Sequence, residues 1–291
     1  MLRPISVSNL PGILYVVATP IGNLGDLSPR ALEIFGQVDL IAAEDTRHTA
    51  RLLSHFGLSK QSLSLHEHNE EQATPGLIKR LQHGQQIALV SDAGTPLLSD
   101  PGYRLIKGAR QAGIVIRPVP GANAAMAALC VSGLPTDRFV FEGFLPAKSV
   151  ARQSHLQTLE RETRTVIFYE STHRIVESIH DLCSVFGTTR HAVIARELTK
   201  TFEQVVDGPL EQLCQWLQQD PNHQRGEFVI LVAGAPPQHI DALDPHTEQW
   251  LTLLLAELPL KKAVALVAQM SDTPRNVLYA HAISLKSEQL T

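Results

Sequence analysis

Short apolar runs alternate with amphipathic stretches through the first 120 residues of the chain. Apolar runs of strand length that are bounded by turn residues are typical of buried strands, whereas apolar positions recurring every three or four residues indicate helices. The predicted strands are 13–18, 38–43, 62–66, 86–91 and 114–119, and the predicted helices are 29–34, 46–56, 77–83 and 103–112. Strands that alternate with helices require crossover connections. The pattern therefore predicts an α/β lobe with a parallel sheet covered on both faces.

The second half of the chain has a different pattern, in which some strands are separated by helices and others only by short turns. Strands are predicted at 138–142, 165–169, 191–195, 202–206 and 227–233, and helices at 122–131, 152–160, 173–186 and 209–218. This arrangement predicts a mixed sheet. Proline and glycine cluster at 118–121, and Pro236-Pro237 ends the second half. We expect an N-terminal α/β lobe at 1–120, a C-terminal α/β lobe at 121–236 and a helical appendage at 237–291.

The tail carries three amphipathic helical patterns, at 246–256, 260–270 and 274–285. The break at 271–274 combines helix-stop and helix-start residues, so the tail is predicted to be a small helical unit of helix-turn-helix shape. Its charges are mixed rather than basic. The pattern leaves two roles open, one in packing or dimerisation and one in contact with RNA.

Composition narrows the class of protein. Hydrophobic residues make up 44% of the 291 residues and charged residues 19%, which is typical of a globular protein. No apolar run approaches the roughly 20 residues of a membrane span, and no signal-peptide pattern opens the chain, so a soluble cytoplasmic protein is expected. The three cysteines, none in a C-x-x-C motif, predict neither a disulfide framework nor a zinc site, and we expect all three to be buried as small apolar residues. The net charge of −4 argues against a dedicated nucleic-acid binder.

Turn-forming or ionisable residues follow four strands of the first half, at 18–26, 42–48, 91–102 and 118–125. In open α/β sheets, ligands bind at the carboxyl ends of the strands, so these four stretches are predicted to converge at one edge. The turn after the first strand is not a G-x-G-x-x-G fingerprint, because Pro20 lies two residues before Gly22, and this disfavours a nicotinamide oxidoreductase. The turn is not a P-loop either, because no G-K-S or G-K-T follows it. His66 and His68, close to Glu67 and Glu70, form only a weak metal motif because no third ligand motif accompanies them.

Two strand ends of the second half also carry charged groups. Each of the stretches 168–174 and 195–200 contains an arginine and a glutamate directly after a buried run. Either stretch taken alone could be a strand end whose charged side chains are exposed to solvent. Together they predict a cleft with basic and acidic walls.

Taken together, these stretches resemble the tetrapyrrole methylase superfamily, the class III S-adenosylmethionine methyltransferases, and within it the small-subunit rRNA (cytidine-2′-O)-methyltransferase I family. The motifs that carry the resemblance are T-P-I-G-N-L-G-D (19–26), A-E-D-T-R (43–47), S-D-A-G-T-P-L-L-S-D-P-G (91–102), P-G (120–121), F-E-G-F-L-P (141–146), F-Y-E-S (168–171), R-E-L-T-K (196–200) and G-E-F-V (226–229), with a looser P-L-K-K-A (259–263) in the tail. Two positions depart from the family pattern, Asn123 where serine is frequent and Thr172 where proline is frequent.

The resemblance implies a two-lobed tetrapyrrole-methylase-like α/β fold, usually a homodimer, with S-adenosylmethionine in the cleft between the lobes and no metal. It implies 2′-O-methylation of a cytidine ribose in 16S rRNA, within the small ribosomal subunit, and neither DNA nor a membrane as partner. The cofactor contacts carried over by motif are Pro20, Gly22, Asp92, Ala93, Gly94, Leu98, Asn123, Ala124, Glu170 and Phe228. The acceptor side carried over is Asp26, Glu44, Asp45, Arg47, Arg196, Glu197 and Lys200.

Within that set, Glu44 or Asp45 is the hypothetical general base, and Arg47 or Arg196 is the hypothetical phosphate ligand. Two rival functions follow from other observations. The acidic net charge favours methylation of a small molecule such as a tetrapyrrole. A non-catalytic RNA-binding module would require a basic surface and no converging small-residue turns, so it is disfavoured.

Overall fold

The structure is a computed structural model that describes residues 12–236, 243–271 and 273–288. The chain divides after Ala235 into a large unit and a small one. The large unit contains two five-stranded sheets, and the small unit is helical.

The first sheet is entirely parallel, as its alternating pattern predicts. Its strands lie in the order β3-β2-β4-β1-β5. The strands are β1 (Ile13–Val17), β2 (Leu40–Ala43), β3 (Ser62–Ser64), β4 (Ile87–Val90) and β5 (Val115–Val119). The helices between them are α1 (Pro29–Gln37), α2 (Thr46–His55), α3 (Glu70–Gln82) and α4 (Tyr103–Gln111), with a short 3₁₀ helix at Leu24–Asp26.

The side chains of alternate residues on β1 pack into two different apolar clusters, one on each face of the sheet. On β1, Tyr15 and Val17 pack with buried residues of α1 and α2, whereas Leu14 packs with buried residues of α3 and α4. Successive side chains of a strand point to opposite faces, so helices cover both faces of the sheet. This arrangement confirms the predicted layers and leaves the carboxyl ends of the strands to the connecting turns.

Helix α3 begins at Glu70, seven residues before the predicted start at 77, and it contains Pro75. The carboxylate of Glu70 is 7% exposed, and its Oε1 accepts hydrogen bonds from the backbone N–H of Arg104 (2.6 Å) and Leu105 (3.2 Å). These are orphan donors at the start of α4, whose N-cap is Gly102 and supplies no side chain. Apolar periodicity could not reveal this early start, because a polar contact between two helices fixes it.

The second sheet is mixed, as predicted, with the order β6-β7-β10-β8-β9. Strands β6 and β7 are parallel, and the other neighbours are antiparallel. The strands are β6 (Phe139–Phe144), β7 (Thr165–Ser171), β8 (His191–Arg196), β9 (Gln204–Pro209) and β10 (Glu227–Val232). The helices are α5 (Ala124–Val131), α6 (Ser149–Leu159), α7 (Ile175–Phe186) and α8 (Leu210–Gln219), with a 3₁₀ helix at Pro221–Gln224.

Helix α5 follows the first sheet in the chain but packs on the second. Its Ala125, Ala128 and Leu129 belong to one buried cluster with Val193 and Val229 of the second sheet. Helices α6, α7 and α8 cover the opposite face. The two sheets are therefore joined through α5, which begins at the edge where the first sheet's turns converge.

Two details of this half differ from prediction. Strand β9 begins at Gln204 rather than at 202, because residues 200–202 form a turn and Phe202 is 70% exposed. Of the three cysteines, Cys130 is exposed near the end of α5, contrary to the prediction that all three are buried. Cys183 and Cys214 are half-buried on α7 and α8, and their Sγ atoms are 3.2 Å apart.

A buried arginine holds the segment that follows β6. Arg152 on α6 is 1% exposed, and its Nε donates a 2.6 Å hydrogen bond to Asp181 of α7. The same guanidinium donates to the carbonyl oxygens of Pro146 and Ala147 at 3.3 and 3.2 Å. A single side chain thus fixes a helix pair and the preceding loop.

The small unit consists of α9 (Pro245–Glu257), α10 (Leu260–Met270) and α11 (Arg275–Glu288). Its core contains Leu251, Val264, Val267 and Leu278. The three predicted helices are confirmed. In the part of the chain that the structure describes, no helix is long and apolar enough to cross a membrane.

Candidate functional site

The three small-residue turns, which follow β1, β4 and β5, contact one another at the carboxyl edge of the first sheet. Thr19 and Gly94 exchange two backbone hydrogen bonds, of 2.9 and 3.0 Å. The Thr95 hydroxyl donates to the carbonyl oxygen of Ala122 at 3.1 Å. Because these contacts link the turns after β1, β4 and β5, the predicted convergence is confirmed for them.

The acidic stretch after β2 joins the same cluster. The backbone N–H of Asp92 donates to Oε2 of Glu44 at 3.3 Å, and Oδ1 of Asp92 accepts from the backbone N–H of Asp45 at 2.9 Å. These reciprocal contacts bring the ends of the neighbouring strands β2 and β4 together. All four predicted stretches therefore meet at one edge.

Three strand ends of the second sheet face this cluster. Phe228 of β10 pairs with Glu170 of β7 on one side and with Arg196 of β8 on the other. Since β10 is antiparallel to both neighbours, its beginning lies beside their ends. The charged stretches that follow β7 and β8 are therefore adjacent, as predicted.

A cavity of about 470 Å³ lies between the two sets of strand ends. One wall comes from the turns of the first sheet and from the start of α5, and the other from β6, β7, β8, β10 and the loops beside them. The lining residues are Ile21, Glu44, Asp92, Ala93, Gly94, Thr95, Leu98, Ser99, Asp100, Ala124, Phe144, Tyr169, Glu170, Ser171, Thr172, His173, Ala195, Leu198, Gly226, Glu227, Phe228 and Val229. We call this the first cavity. Its volume lies in the range of small-molecule and cofactor sites.

Three carboxylates of the first cavity, those of Glu44, Asp92 and Asp100, form no ion pair with any residue that the structure describes. Burial raises the pKa of Glu44. Burial, and to a smaller extent the negative charges of Glu44 and Asp92, raise the pKa of Asp100 to about 7, against the opposing hydrogen bond with Ser91. An ionised carboxylate is destabilised by burial and by like charge, so these three carboxylates favour a cationic ligand in the cavity.

The raised pKa of Asp100 makes stability depend on pH. In the unfolded chain Asp100 loses its proton near 3.8, whereas in the folded chain it keeps the proton until about pH 7, so stability falls across that window as pH rises. Asp100→Asn is expected to stabilise the protein at pH 8 by on the order of 1–2 kcal/mol, after allowance for solvent screening, and to have little effect at pH 4. Urea denaturation at both pH values measures the difference. A gain in stability of equal size at pH 4 and pH 8 would contradict this prediction. An equal gain at pH 8 from the control Asp137→Asn, at an exposed aspartate, would also contradict it.

A second cavity, of about 360 Å³, adjoins the first and shares Ile21, Asp92, Ala93 and Glu227 with it. Its other lining residues are Pro20, Gly22, Leu24, His48, Arg51, Leu52 and Lys200. Lys200 Nζ donates to Glu197 at 2.8 Å and to Glu227 at 2.9 Å. The stem of Lys200 occupies the space that a Cβ at position 22 would need, so glycine there permits the close approach of the two lobes.

The predicted cofactor residues fall into three groups. Asp92, Ala93, Gly94, Leu98, Ala124, Glu170 and Phe228 line the first cavity, whereas Pro20 and Gly22 line the second. Asn123 lines neither of these cavities, and its side chain accepts a hydrogen bond from Met126 N as the N-cap of α5. Glu170 is buried, and its carboxylate accepts from Arg174 (2.9 Å) and from Ser178 (2.6 Å).

The predicted acceptor residues are more dispersed. Glu44 lines the first cavity and Lys200 the second. Asp45 is the N-cap of α2 and forms a two-point ion pair with exposed Arg47, whose hydrogen bonds hold the pKa of Asp45 well below its usual range. Asp26 lies at the end of a 3₁₀ helix.

Arg196 and Glu197 face inward. Arg196 is 7% exposed, and its guanidinium donates to the carbonyl oxygens of Arg225 and Phe202 and to the side chain of Gln204. Burial opposes ionisation of Glu197, but the hydrogen bond from Lys200 keeps its pKa below the usual value. The structure gives both residues partners that hold the loop after β8 in place.

Sequence reasoning placed Asp100 within a turn-rich stretch but did not select it. The S-D-P-G order is typical of a turn, so the side chain gave no separate signal. Tyr169 was also not selected, although it lines the cavity and its hydroxyl accepts from Ala125 N at 3.3 Å. Only the fold shows that this strand tyrosine contacts the start of α5.

Backbone strain concentrates in two loops beside the cavity. Among the described residues, the non-glycine residues with positive φ are Leu97 (76°), Ser99 (71°), Glu197 (50°) and Thr199 (67°). The first two flank Leu98, and the last two flank Leu198, and both leucines line the first cavity. Strain of this kind persists where the surrounding structure holds the loop in one conformation, as at ligand-binding sites.

Family comparison agrees with this geometry. Residues 13–214 match the family described as Tetrapyrrole (Corrin/Porphyrin) Methylases, and residues 241–286 match the family described as RsmI C-terminal HTH domain. The chain is 54% identical over 277 residues to "Ribosomal RNA small subunit methyltransferase I" of Pasteurella multocida, covering 95% of this chain and 99% of the relative. It is 52% identical over 278 residues to the protein of the same name from Escherichia coli O157:H7, covering 96% and 97%.

Solved structures share the fold at much lower identity. The methyltransferase CobJ superposes with a TM-score of 0.58 at 19% identity, covering 77% of this chain and 95% of that one. Diphthine synthase superposes with a TM-score of 0.57 at 18% identity, covering 76% and 90%. Uroporphyrin-III C-methyl transferase from Thermus thermophilus, complexed with S-adenyl homocysteine, gives 0.53 at 16% identity, covering 76% and 97%. The fold, the converging turns and the near full-length relatives agree that this chain belongs to the tetrapyrrole methylase family, in the group of the ribosomal RNA small subunit methyltransferases I.

Proposed function

We propose that this protein transfers a methyl group from S-adenosylmethionine to the ribose 2′-oxygen of a cytidine in 16S rRNA, within the small ribosomal subunit. Relatives at 54% and 52% identity, matched over almost their whole length, carry the name of a small-subunit rRNA methyltransferase. The observation that carries the proposal is the pair of adjoining cavities, which share one wall. Group transfer requires a donor site and an acceptor site side by side.

The first cavity fits S-adenosylmethionine. Ala93 and Ala124 present only methyl groups and Gly94 presents no side chain, which allows a ligand to approach the backbone. Leu98 and Phe228 supply apolar surface, and Glu44, Asp92 and Asp100 supply carboxylates that form no ion pair among the described residues. When bound, the cofactor supplies a methyl group activated by its positively charged sulfur.

The chain's own residues then have to orient the ribose hydroxyl and accept its proton. Glu44 is suited to the second task, because its carboxylate lines the first cavity beside the wall shared with the second, and burial raises its pKa toward the working range of a general base. The backbone N–H of Asp92 donates to Oε2 of Glu44 and fixes the direction of the carboxylate. Asp45 is poorly suited, because Arg47 holds it in a tight ion pair.

We extend the proposal to assembly and organisation. The enzyme acts in the cytoplasm as a homodimer, as the family resemblance implies. The large unit works as two lobes, 1–120 and 121–236, and 237–291 is the helical appendage. The match of residues 241–286 to a helix-turn-helix family supports contact of that appendage with RNA.

The test is transfer of labelled methyl groups to small ribosomal subunits that lack their native modifications, followed by alkaline hydrolysis of the RNA. A 2′-O-methyl group blocks attack of that oxygen on the next phosphate, so one gap in the cleavage ladder is expected at a cytidine. Label without a gap would place the methyl group on a base and contradict the proposed acceptor atom. Absence of label, with S-adenosylmethionine still bound, would favour a small tetrapyrrole-like acceptor instead.

A further inference from the structure

Two basic side chains in the second cavity have no partner among the residues that the structure describes. His48 and Arg51 are three positions apart on α2, so they project from the same side of the helix, and both line the cavity. Both are exposed. Throughout the ranges 12–236, 243–271 and 273–288, neither side chain forms a hydrogen bond or an ion pair. Their capacity to bind an anion is therefore unused.

Two neighbouring basic side chains, one on the same helix and one lining this cavity, are already paired with carboxylates. Arg47, on the same helix, is paired with Asp45 at 2.8 Å. Lys200 is paired with both Glu197 and Glu227. A ligand that enters the second cavity consequently meets positive charge from α2 rather than from the R-E-L-T-K loop.

The two cavities differ in charge while sharing a wall. The first contains the carboxylates of Glu44, Asp92 and Asp100, which favour a cation. The second shares Asp92 and the Lys200-paired Glu227 with the first. Away from that shared wall it combines the basic side chains of α2 with an apolar surface from Leu24 and Leu52. A nucleotide within an RNA chain has matching chemistry, because an anionic phosphodiester lies on each side of a largely apolar ribose and base.

We infer that His48 and Arg51 bind the phosphodiester groups next to the ribose that is methylated, which makes the second cavity the acceptor site. This inference rests on the proposed function. The guanidinium of Arg51 can bind phosphate in a two-point geometry, and the imidazole of His48 donates one further hydrogen bond. Contacts to phosphate fix the register of a nucleic acid on a protein. Here they direct the ribose hydroxyl to the wall shared with the first cavity.

The experiment compares Arg51→Gln, His48→Gln and the double variant with the wild type, using undermethylated small ribosomal subunits as the probe. Each single variant is expected to raise KM for subunits about tenfold, and the double variant about a hundredfold. In Arg51→Gln, the slope of log affinity for subunits against log salt concentration should become shallower by about one unit, the contribution of about one phosphate contact. Affinity for S-adenosylmethionine should stay unchanged. Arg51→Lys should recover part of the loss, since it retains the charge without the two-point geometry.

The matched control is Arg110→Gln, at an exposed arginine whose side chain has no partner among the described residues. Arg110 lies in the last turn of α4, which leads into the beginning of β5 and so lies away from the carboxyl ends of the strands. An unchanged KM and salt dependence in Arg51→Gln would overturn the inference. An equal rise of KM in Arg110→Gln would also overturn it, because it would show a general effect of net charge. A loss of S-adenosylmethionine binding in Arg51→Gln would overturn it as well. If the wild type binds subunits without methylating them, the proposed function fails, while the salt dependence of binding still decides the phosphate contact.

Discussion

Replacing Glu44 by glutamine is expected to lower the single-turnover rate of methyl transfer by about 10²–10⁴-fold, the usual contribution of a general base. Glutamine keeps the side-chain oxygen that accepts from Asp92 N, so the turn should be preserved. The affinity for S-adenosylmethionine should fall by far less than the rate, because Asp92 and Asp100 keep their carboxylates in the first cavity. Because burial raises the pKa of Glu44, the wild-type rate should fall on acidification at a higher pH than an ordinary glutamate would give. The measurement is the transfer rate against pH for both forms, with cofactor binding in parallel.

The comparison variant is Asp45→Asn. Asparagine is as good an N-cap as aspartate, so α2 should start unchanged. The variant removes the ion pair with Arg47 but no group of the first cavity. Its loss of rate should be at least tenfold smaller than that of Glu44→Gln. Equal losses would show that Asp45 shares the role of base, and a full rate in Glu44→Gln would eliminate Glu44.

Arg152→Met is expected to lower the free energy of unfolding of the large unit by about 3–5 kcal/mol. Methionine replaces the apolar stem of the arginine but leaves Asp181 without its cation and the carbonyl oxygens of Pro146 and Ala147 without their donors. A buried charge that loses its partner is far more destabilising than the loss of an exposed pair. Urea denaturation measures the change.

Tryptophan fluorescence can follow the unfolding of the large unit separately from that of the small unit. Its two tryptophans are Trp216 on α8 of the large unit and Trp250 on α9 of the small unit. In a Trp250→Phe background, fluorescence therefore reports on the large unit only. Arg161→Met, at an exposed arginine in the turn after α6, is the control and should change stability by less than about 0.5 kcal/mol. A change of that small size in Arg152→Met would show that water replaces the lost contacts.

Strand and helix assignments could be predicted where burial follows one regular period. The buried strands β1, β2 and β4 appear in the sequence as unbroken apolar runs, and the parallel order of the first sheet follows from the helices between them. The early start of α3 could not be predicted, because it depends on the contact of Glu70 with the first turn of α4. Polar contacts between residues far apart in the chain produce no periodic pattern in the sequence.

The same distinction applies to the candidate site. Turn-forming residues after four strands predict convergence, since parallel strands end at one edge. Sequence cannot show how each side chain is used. Arg196 and Arg51 are both arginines near the site. The fold directs Arg196 to backbone carbonyl oxygens, whereas the side chain of Arg51 has no partner in the part of the chain that the structure describes. Only the three-dimensional contacts separate an arginine that holds a loop from one that can bind a ligand.

The acidic wall of the first cavity also affects the end of the reaction. With the methyl donor bound in the first cavity as proposed, Glu44, Asp92 and Asp100 would attract its positively charged sulfur. After transfer the sulfur is an uncharged thioether, so the attraction would disappear while the shape of the ligand hardly changes. The cavity would thereby distinguish fresh donor from spent donor by charge. An enzyme with such a wall is expected to resist inhibition by its own by-product and to continue methylation when the ratio of donor to by-product declines.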